Sequence, residues 1–368
     1  MNLTDWGWDE GWEAAARESG GGAATDGIVP ARVVADTRHL LEVVAREGVS
    51  WSRPTGNLSS RLSGTSAFPV TGDWVLVEAR AEYTEWPLLD VLPRRSALSR
   101  RAPRSDEHKR DAEQVLAANV DYVFVVCGLD GGRNFTPRGL ERYLTAAWES
   151  GALPVVVLNK ADLAADPELA LTQAREVAPG ADVVATTTVT EGGLEALRPY
   201  LGPGKTVVLV GRSGVGKSSI VNGLVGEELL ETRESREADR RGRHTTTLRR
   251  MLRLEGGAML IDTPGLRAVG LWGDEESVDS SFPEIAELAR GCRFDDCAHS
   301  GEPGCAVQQA LADGALDPGR YESYLALQRE LRYLARREDT RGRLEAKAQG
   351  KALSRHIKHW KRQSGKRN

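Results

Sequence analysis

Thr206-Val207-Val208-Leu209-Val210-Gly211-Arg212-Ser213-Gly214-Val215-Gly216-Lys217-Ser218-Ser219 reads as a β-strand, a glycine-rich turn and the first residues of a helix. Five consecutive aliphatic or β-branched residues suit a strand buried on both faces, and Ser219–Val225 continues as a helix. Gly211–Ser218 has the spacing G-x-x-x-x-G-K-[ST], in the strand-to-helix setting that this spacing requires. Its glycines let successive backbone N–H groups converge on phosphate oxygens at the positive end of a helix. Lys217 is placed to neutralise the β and γ phosphates and Ser218 to ligate Mg²⁺. The residues from Gly211 through Ser219 are therefore expected to line a nucleotide phosphate site.

Outward from this stretch, apolar strands at Tyr122–Val126, Val155–Leu158, Val183–Ala185 and Met259–Ile261 alternate with helical patterns. Thr136 is an N-cap candidate with Pro137 in the first helical position. Leu140, Tyr143, Leu144 and Ala147 then follow the spacing of a buried helix face. Such alternation predicts a parallel sheet covered on both sides.

Asn159-Lys160-Ala161-Asp162 follows the strand Val155–Leu158 and matches N-K-x-D. A carboxylate at Asp162 accepts from the N1–H and the exocyclic amine of guanine. Adenine offers neither donor there, so the wrong base would leave the carboxylate unpaired. Asp262-Thr263-Pro264-Gly265 fits D-x-x-G, with Asp262 holding Mg²⁺ through water and the Gly265 N–H meeting the γ-phosphate. Between these motifs, Gly242-Arg243-His244-Thr245-Thr246-Thr247 offers hydroxyls for the metal. Thr246 or Thr245 is expected to be the ligand, with Thr246 preferred. Thr187 and Thr188 stand where a small polar residue backs the guanine.

The motifs come in an unusual order. Ordinary small GTPases run phosphate loop, first switch, D-x-x-G, N-K-x-D, then the small-residue loop. Here the elements at 159 and 187 precede those at 211, 245 and 262. One site can form from that order only if the sheet is circularly permuted. Whatever follows Gly265 is then tethered to a loop that rearranges on hydrolysis.

The 368 residues are 40% apolar and 28% charged, which is ordinary for a globular protein, and the longest apolar runs are far too short to span a bilayer. The acidic start MNLTDWGWDEGWE lacks the basic, apolar pattern of a secretion signal. A cytoplasmic protein is expected. Residues 1–27 read as a flexible acidic arm. Short β-like runs with polar turns over 28–98 predict a small β-barrel, and 99–114 reads as a linker. A nucleotide-binding α/β domain is expected over 115–273 and a helical domain over 274–340. The tail 341–368 holds ten Lys/Arg against one acid, Glu345, a balance suited to a polyanion such as RNA. No coiled-coil pattern appears, so a monomer is expected.

Cys292-x4-Cys297-x-His299-x5-Cys305 supplies three thiols and an imidazole within fourteen residues. Four soft ligands with no spare acid predict a closed, structural Zn²⁺ site. Cys127, at the end of an apolar run, reads as a buried small hydrophobe.

The series N-K-x-D, G-x-S-G-V-G-K-S, G-R-H-T-T-T, D-T-P-G and C-x4-C-x-H-x5-C resembles the ribosome small-subunit-dependent GTPase A family over roughly residues 28 to 335. That resemblance implies an OB-fold barrel contacting ribosomal RNA, a circularly permuted P-loop GTPase domain and a zinc-binding domain. It also implies late action in 30S maturation, with GTP hydrolysis to GDP stimulated by the 30S subunit and contact with 16S rRNA. The family's switch-one histidine maps onto His244, which makes His244 a catalytic candidate beside Lys217. Leu266, after the D-T-P-G loop, cannot orient water as the glutamine of other GTPases does. Two rivals remain at this point: a GTP-dependent RNA-binding module in which hydrolysis is secondary, and a P-loop ATPase or kinase.

Overall fold

The computed structural model describes residues 1–19, 27–37, 40–62, 65–80, 83–101, 113–131, 134–226, 249–262, 282–294 and 297–328. The central sheet is built by strict alternation. In β8 (Tyr122–Gly128), Val123, Val125 and Cys127 join one hydrophobic cluster while Phe124 and Val126 join the cluster on the opposite face. The same division holds in β9 (Leu153–Asn159), with Val156 and Leu158 against Val155 and Val157, and in β11 (Thr206–Val210), with Val208 and Val210 against Val207 and Leu209. Both faces are buried because α3 (Pro137–Glu149) and α4 (Pro167–Val177) cover one, while α5 (Lys217–Val225) and the 3-10 turn Glu195–Tyr200 cover the other. Thr136 caps α3 by accepting from the Gly139 N–H, with Pro137 in its first turn.

The parallel strands run in the order β10 (Asp182–Ala185), β9, β8, β11, β13 (Met259–Asp262), and β12 (Arg249–Arg253) adds antiparallel to β13. The phosphate-loop strand β11 lies between β8 and β13, yet β8, β9 and β10 precede it in the chain. This connectivity is the permuted arrangement that the motif order requires.

The N-terminal barrel consists of β1 (Ile28–Asp36), β2 (Leu41–Ala45), β3 (Gly48–Pro54), β4 (Trp74–Glu78) and β5 (Glu85–Val91), closed in the order 1-2-3-5-4-1. Val33, Val43, Val75, Val77 and Leu88 fill its interior, and α2 (Gly56–Leu62) packs Leu58 into the same cluster. The barrel and the nucleotide-binding sheet are continuous: Ala35 and Asp36 of β1 pair with Arg250 and Arg249 of β12. Asp36 secures the joint by accepting from the Thr71 N–H at 3.1 Å and from Arg249 at 3.4 Å.

The expected flexible arm over 1–27 is corrected for residues 1–19, which are folded. A 3-10 turn (Leu3–Trp6) leads into α1 (Glu10–Glu18), capped by the Asp9 side chain accepting from the Trp12 N–H. Leu3, Trp8, Trp12 and Ala16 bury against Trp74, Leu76 and Leu92 on the outside of the barrel. Trp8 meets Trp74 edge to face at 4.7 Å, and the Arg95 guanidinium lies over Trp12 at 4.2 Å while gripping Asp9 with two 2.6 Å bonds. Gly7, at φ 85°, lets this turn approach the sheet, because a Cβ there would stand 2.7 Å from the Gly204 carbonyl. The linker expected over 99–114 is also corrected: β6 (Ala97–Arg101) pairs antiparallel with β7 (Glu113–Ala118), so both ends of that segment are strand.

The C-terminal region contains α6 (Pro283–Ala289), α7 (Ala306–Ala312) and a helical run over 318–328. A largely covered side chain ties it to the sheet domain. Arg320 reaches Glu141 of α3 at 2.9 Å and Glu284 of α6 at 2.7 Å, with its guanidinium 4.5 Å over the Phe282 ring. Among the described residues no helix is long and apolar enough to cross a membrane.

Trp12→Ala is expected to cost about 3–5 kcal/mol in denaturant unfolding, because a cavity opens between arm and barrel. The Arg95 hydrogen bonds hold the Asp9 carboxyl down from 3.8 to about 2. A depressed acid stabilises the fold above its unfolded value, so this contribution is present above pH 3.8 and fades as pH falls toward 2. Asp9→Asn should therefore flatten the stability–pH curve in that window, measured by chemical denaturation at stepped pH.

Candidate functional site

Motifs separated in the chain meet at the carboxyl ends of the parallel strands, where ligands of open α/β sheets bind. The phosphate loop leaves β11 at Gly211, anchors itself through buried Val215, and enters α5 at Gly216. Lys217 Nζ lies at the mouth of the loop, donating to the Gly211 and Arg212 carbonyls at 2.7 Å each. Arg212 and Ser213 are exposed, and Ser218 and Ser219 half-buried at the start of α5. Gly216, at φ 98°, is required by packing as well as by conformation: a Cβ there would fall 2.2 Å from Asn159 Nδ2.

That close approach shows where β9 delivers its motif. Asn159 Nδ2 donates to the Val215 carbonyl at 3.0 Å, and its Oδ1 accepts from the Thr186 hydroxyl at 3.2 Å. Lys160, in the left-handed region at φ 63°, donates to the Gly214 carbonyl at 2.7 Å and to Asp130 at 2.5 Å. Burial opposes ionisation of Asp130, but bonds from Lys160 and Asn134 hold its carboxyl below the usual carboxylate value. Asp162 is exposed on the 3-10 turn Ala161–Leu163 and accepts from Thr187 Oγ1 at 2.5 Å. Thr188 is exposed, one residue further along.

Asp262 ends β13, one residue beyond Ile261, which stands beside Val208 of β11. Burial pushes its carboxyl above the ordinary value, so a cation beside it would be favoured. The structure thus brings together the phosphate loop, Asn159, Lys160, Asp162, Thr187 and the strand carrying Asp262. His244, Thr245, Thr246, Gly265 and Leu266 lie outside the described residues, as does the tail 341–368. Two participants escaped the sequence reading. Thr186 orients Asn159 one position before the threonine pair, and Asp130 orients Lys160 from the turn after β8. The only signal for Asp130 was an acid at the end of a buried strand.

Cys292, Cys297, His299 and Cys305 offer ligand atoms all within 4.8 Å of one another. His299 Nδ1 is 3.5 Å from both the Cys292 and Cys305 sulfurs, and those sulfurs are 3.9 Å apart. A tetrahedron with Zn–S of about 2.3 Å and Zn–N of about 2.0 Å has edges of roughly 3.5–3.8 Å, so the donor set fits Zn²⁺. Burial opposes the Cys292 thiolate, but the Ala306 and Val307 N–H groups at the start of α7 bring its pKa below the ordinary thiol value. Around the ligands, Gln308 and Tyr321 both donate to the His299 carbonyl, fixing the left-handed turn at φ 57°.

Gly216→Ala is expected to weaken nucleotide binding by about ten- to hundredfold, since left-handed strain and displacement of Asn159 add at one position. Isothermal titration against wild type measures this. The purified chain should carry about one Zn²⁺ by elemental analysis, and chelation should unfold the 282–328 region, seen as a loss of amide-exchange protection there.

The family model described as RsgA GTPase matches residues 91–272. A protein of Opitutus terrae named small ribosomal subunit biogenesis GTPase RsgA is 45% identical over 348 residues, covering 92% of each chain. A Streptomyces coelicolor protein of the same name is 41% identical, covering 95% of this chain and 92% of its own. Among solved structures, YjeQ from Thermotoga maritima aligns with TM-score 0.62 at 27% identity, over 83% of this chain and 98% of its own. YloQ, described as a circularly permuted GTPase, shares the fold at TM-score 0.58 and 22% identity, over 87% and 98%. With its permuted sheet, its phosphate loop and a base motif bonded to that loop, this chain belongs to the RsgA family of GTPases.

Proposed function

We infer that the chain couples GTP hydrolysis to late maturation of the small ribosomal subunit, as a cytoplasmic monomer that contacts 16S rRNA. One observation carries the site: Asn159 and Lys160 donate to the Val215 and Gly214 carbonyls, which fastens the base motif to the phosphate loop. The relatives' shared name, small ribosomal subunit biogenesis GTPase, supports the ribosomal role.

In this reading the backbone N–H groups from Gly211 to Ser219 receive the β and γ phosphates, and Lys217 turns from its loop carbonyls to bridge them. Asp162 accepts from guanine N1–H and its exocyclic amine, and Thr187 with Thr188 backs the base. Ser218, Asp262 and Thr246 would hold Mg²⁺, which supplies charge neutralisation of the triphosphate. The Gly265 N–H meets the γ-phosphate. His244 orients the attacking water through one ring nitrogen, a task Leu266 cannot perform. Intrinsic turnover is slow until the 30S particle positions the attacking water at His244. The four-ligand Zn²⁺ site has no open position and holds α7 and its neighbouring turns together rather than acting in catalysis. The basic tail 341–368 adds affinity for RNA phosphates.

Turnover titrated with purified subunits should rise with 30S and stay flat with 50S. Equal response to both, or to neither, would reject the assignment. His244→Ala should keep GTP affinity and lose about a hundredfold or more of the stimulated rate in single-turnover assays. Unchanged stimulated turnover would remove His244 from the chemistry. Deleting 341–368 should reduce the salt dependence of 30S binding in sedimentation assays.

A further inference from the structure

A cleft of about 420 Å³ opens at the junction of the N-terminal arm, the barrel and the amino-terminal end of β11. Trp8, Trp12, Arg32, Arg95, Asn119 and Lys205 are among its walls. It is separate from the nucleotide site, since Thr206 starts β11 and the phosphate loop begins at Gly211, about 17 Å away along the strand.

The floor of the cleft is unusual electrostatically. Arg32 is only 2% exposed, and its Nη2 donates to two neutral acceptors, the Asn119 carbonyl and Thr206 Oγ1, each at 3.2 Å. Its Nε has no acceptor among the described residues, and no carboxylate there pairs with it. The guanidinium stacks 5.0 Å over Trp74, which offsets part of its desolvation but provides no hydrogen-bond acceptor in the ring plane. The other charges are already matched. Arg95 is paired with Asp9 at 2.6 Å, and Lys205 with Asp121 at 2.9 Å. The cleft therefore holds one cation more than its carboxylates neutralise, and that surplus sits at the buried end. Burial, with the nearby Arg95 charge adding to it, outweighs the pull of Asp121 and Asp73 and brings the Arg32 guanidinium down to about 10, the direction a bound anion would reverse.

We propose that this cleft binds a small organic phosphate, with its phosphoryl oxygens received by Arg32 at the floor and Lys205 at the mouth. A planar guanidinium with free donors matches phosphoryl oxygens in shape as well as charge. The volume is several times that of a bare oxyanion and falls within the range of small-molecule sites, so the ligand carries a further body such as a sugar. The same phosphate chemistry can come from an RNA backbone. The cleft is built partly from the arm and partly from β11, so a ligand here would stabilise their docking. The inference is independent of the ribosomal reading.

The test uses the full chain with its phosphate loop saturated by Mg·GDP. Ribose 5-phosphate, ribose and hexauridylate are titrated separately, followed by calorimetry and tryptophan fluorescence. Ribose 5-phosphate should bind at one site per chain and ribose should not. Lys205→Gln, at a half-exposed position that leaves the core intact, should weaken binding tenfold or more, and Arg32→Lys should do the same where it folds. Binding by hexauridylate alone, with the same Lys205 dependence, would overturn the small-molecule assignment in favour of an RNA phosphate. No saturable binding, or binding indifferent to Lys205→Gln, would overturn the site itself.

Discussion

Two side-chain hydrogen bonds, from Asn159 to the Val215 carbonyl and from Lys160 to the Gly214 carbonyl, hold the base motif against the phosphate loop. Asn159 ends β9 and Lys160 follows it directly, and both acceptors lie more than fifty residues later in the loop after β11. Neither strand has room to shift. Gly216 has no space for a Cβ beside Asn159, and β8 stands between β9 and β11 with paired neighbours on both sides. A nucleotide that spans loop and motif thus meets a surface already set at the right separation. Such preorganisation spares the ordering cost that binding would otherwise carry.

The permutation places this rigid site within a longer mechanical frame. β12 runs between the segment carrying His244 and the loop that follows Asp262, and it also pairs with β1 of the barrel. The barrel is therefore hydrogen-bonded, through Asp36, Thr71 and Arg249, to a strand that lies in the chain between His244 and the residues after Asp262. On the other side, the helices around the Cys/His cluster are tied to α3 by Arg320 between Glu141 and Glu284. Removing one partner of so buried a pair leaves an uncompensated charge, which is the costly case. Both auxiliary domains thus rest on the nucleotide-binding sheet through charged contacts to specific elements.

What could be read from the chain alone was chemistry at fixed spacing. The strand Thr206–Val210, the N-cap Thr136 with Pro137, the cluster of three cysteines and one histidine, and the permuted motif order are each local patterns with a physical reason. Contacts between distant segments were not legible. β12 reads Arg-Arg-Met-Leu-Arg, a charged run held as a strand by antiparallel pairing with β13, and its further pairing with β1, over two hundred residues away, leaves no local pattern. The arm is a related case. Its Asp9 cap and the helical spacing of Trp8, Trp12 and Ala16 are local signals, but the surface they pack on is contributed by the barrel, and an acidic composition obscures them. The complementary clue lay in the run Trp74–Val77, apolar on both faces although its neighbours are antiparallel, which implies that something covers the outside. Asp130 and Thr186 act by orienting other side chains, and residues of that kind carry no motif.

The central claim, that the reordered segments form one guanine site with Asp162 reading the base, is tested most directly by exchanging its hydrogen-bond polarity. In Asp162→Asn the carboxylate that would accept from the guanine amine becomes an amide able to donate to the 2-carbonyl of xanthine. Calorimetry of the full chain should show affinity for GDP falling by about two orders of magnitude and affinity for xanthosine diphosphate rising above that of the unmodified chain. Retained GDP affinity, with no gain for the xanthine nucleotide, would contradict it.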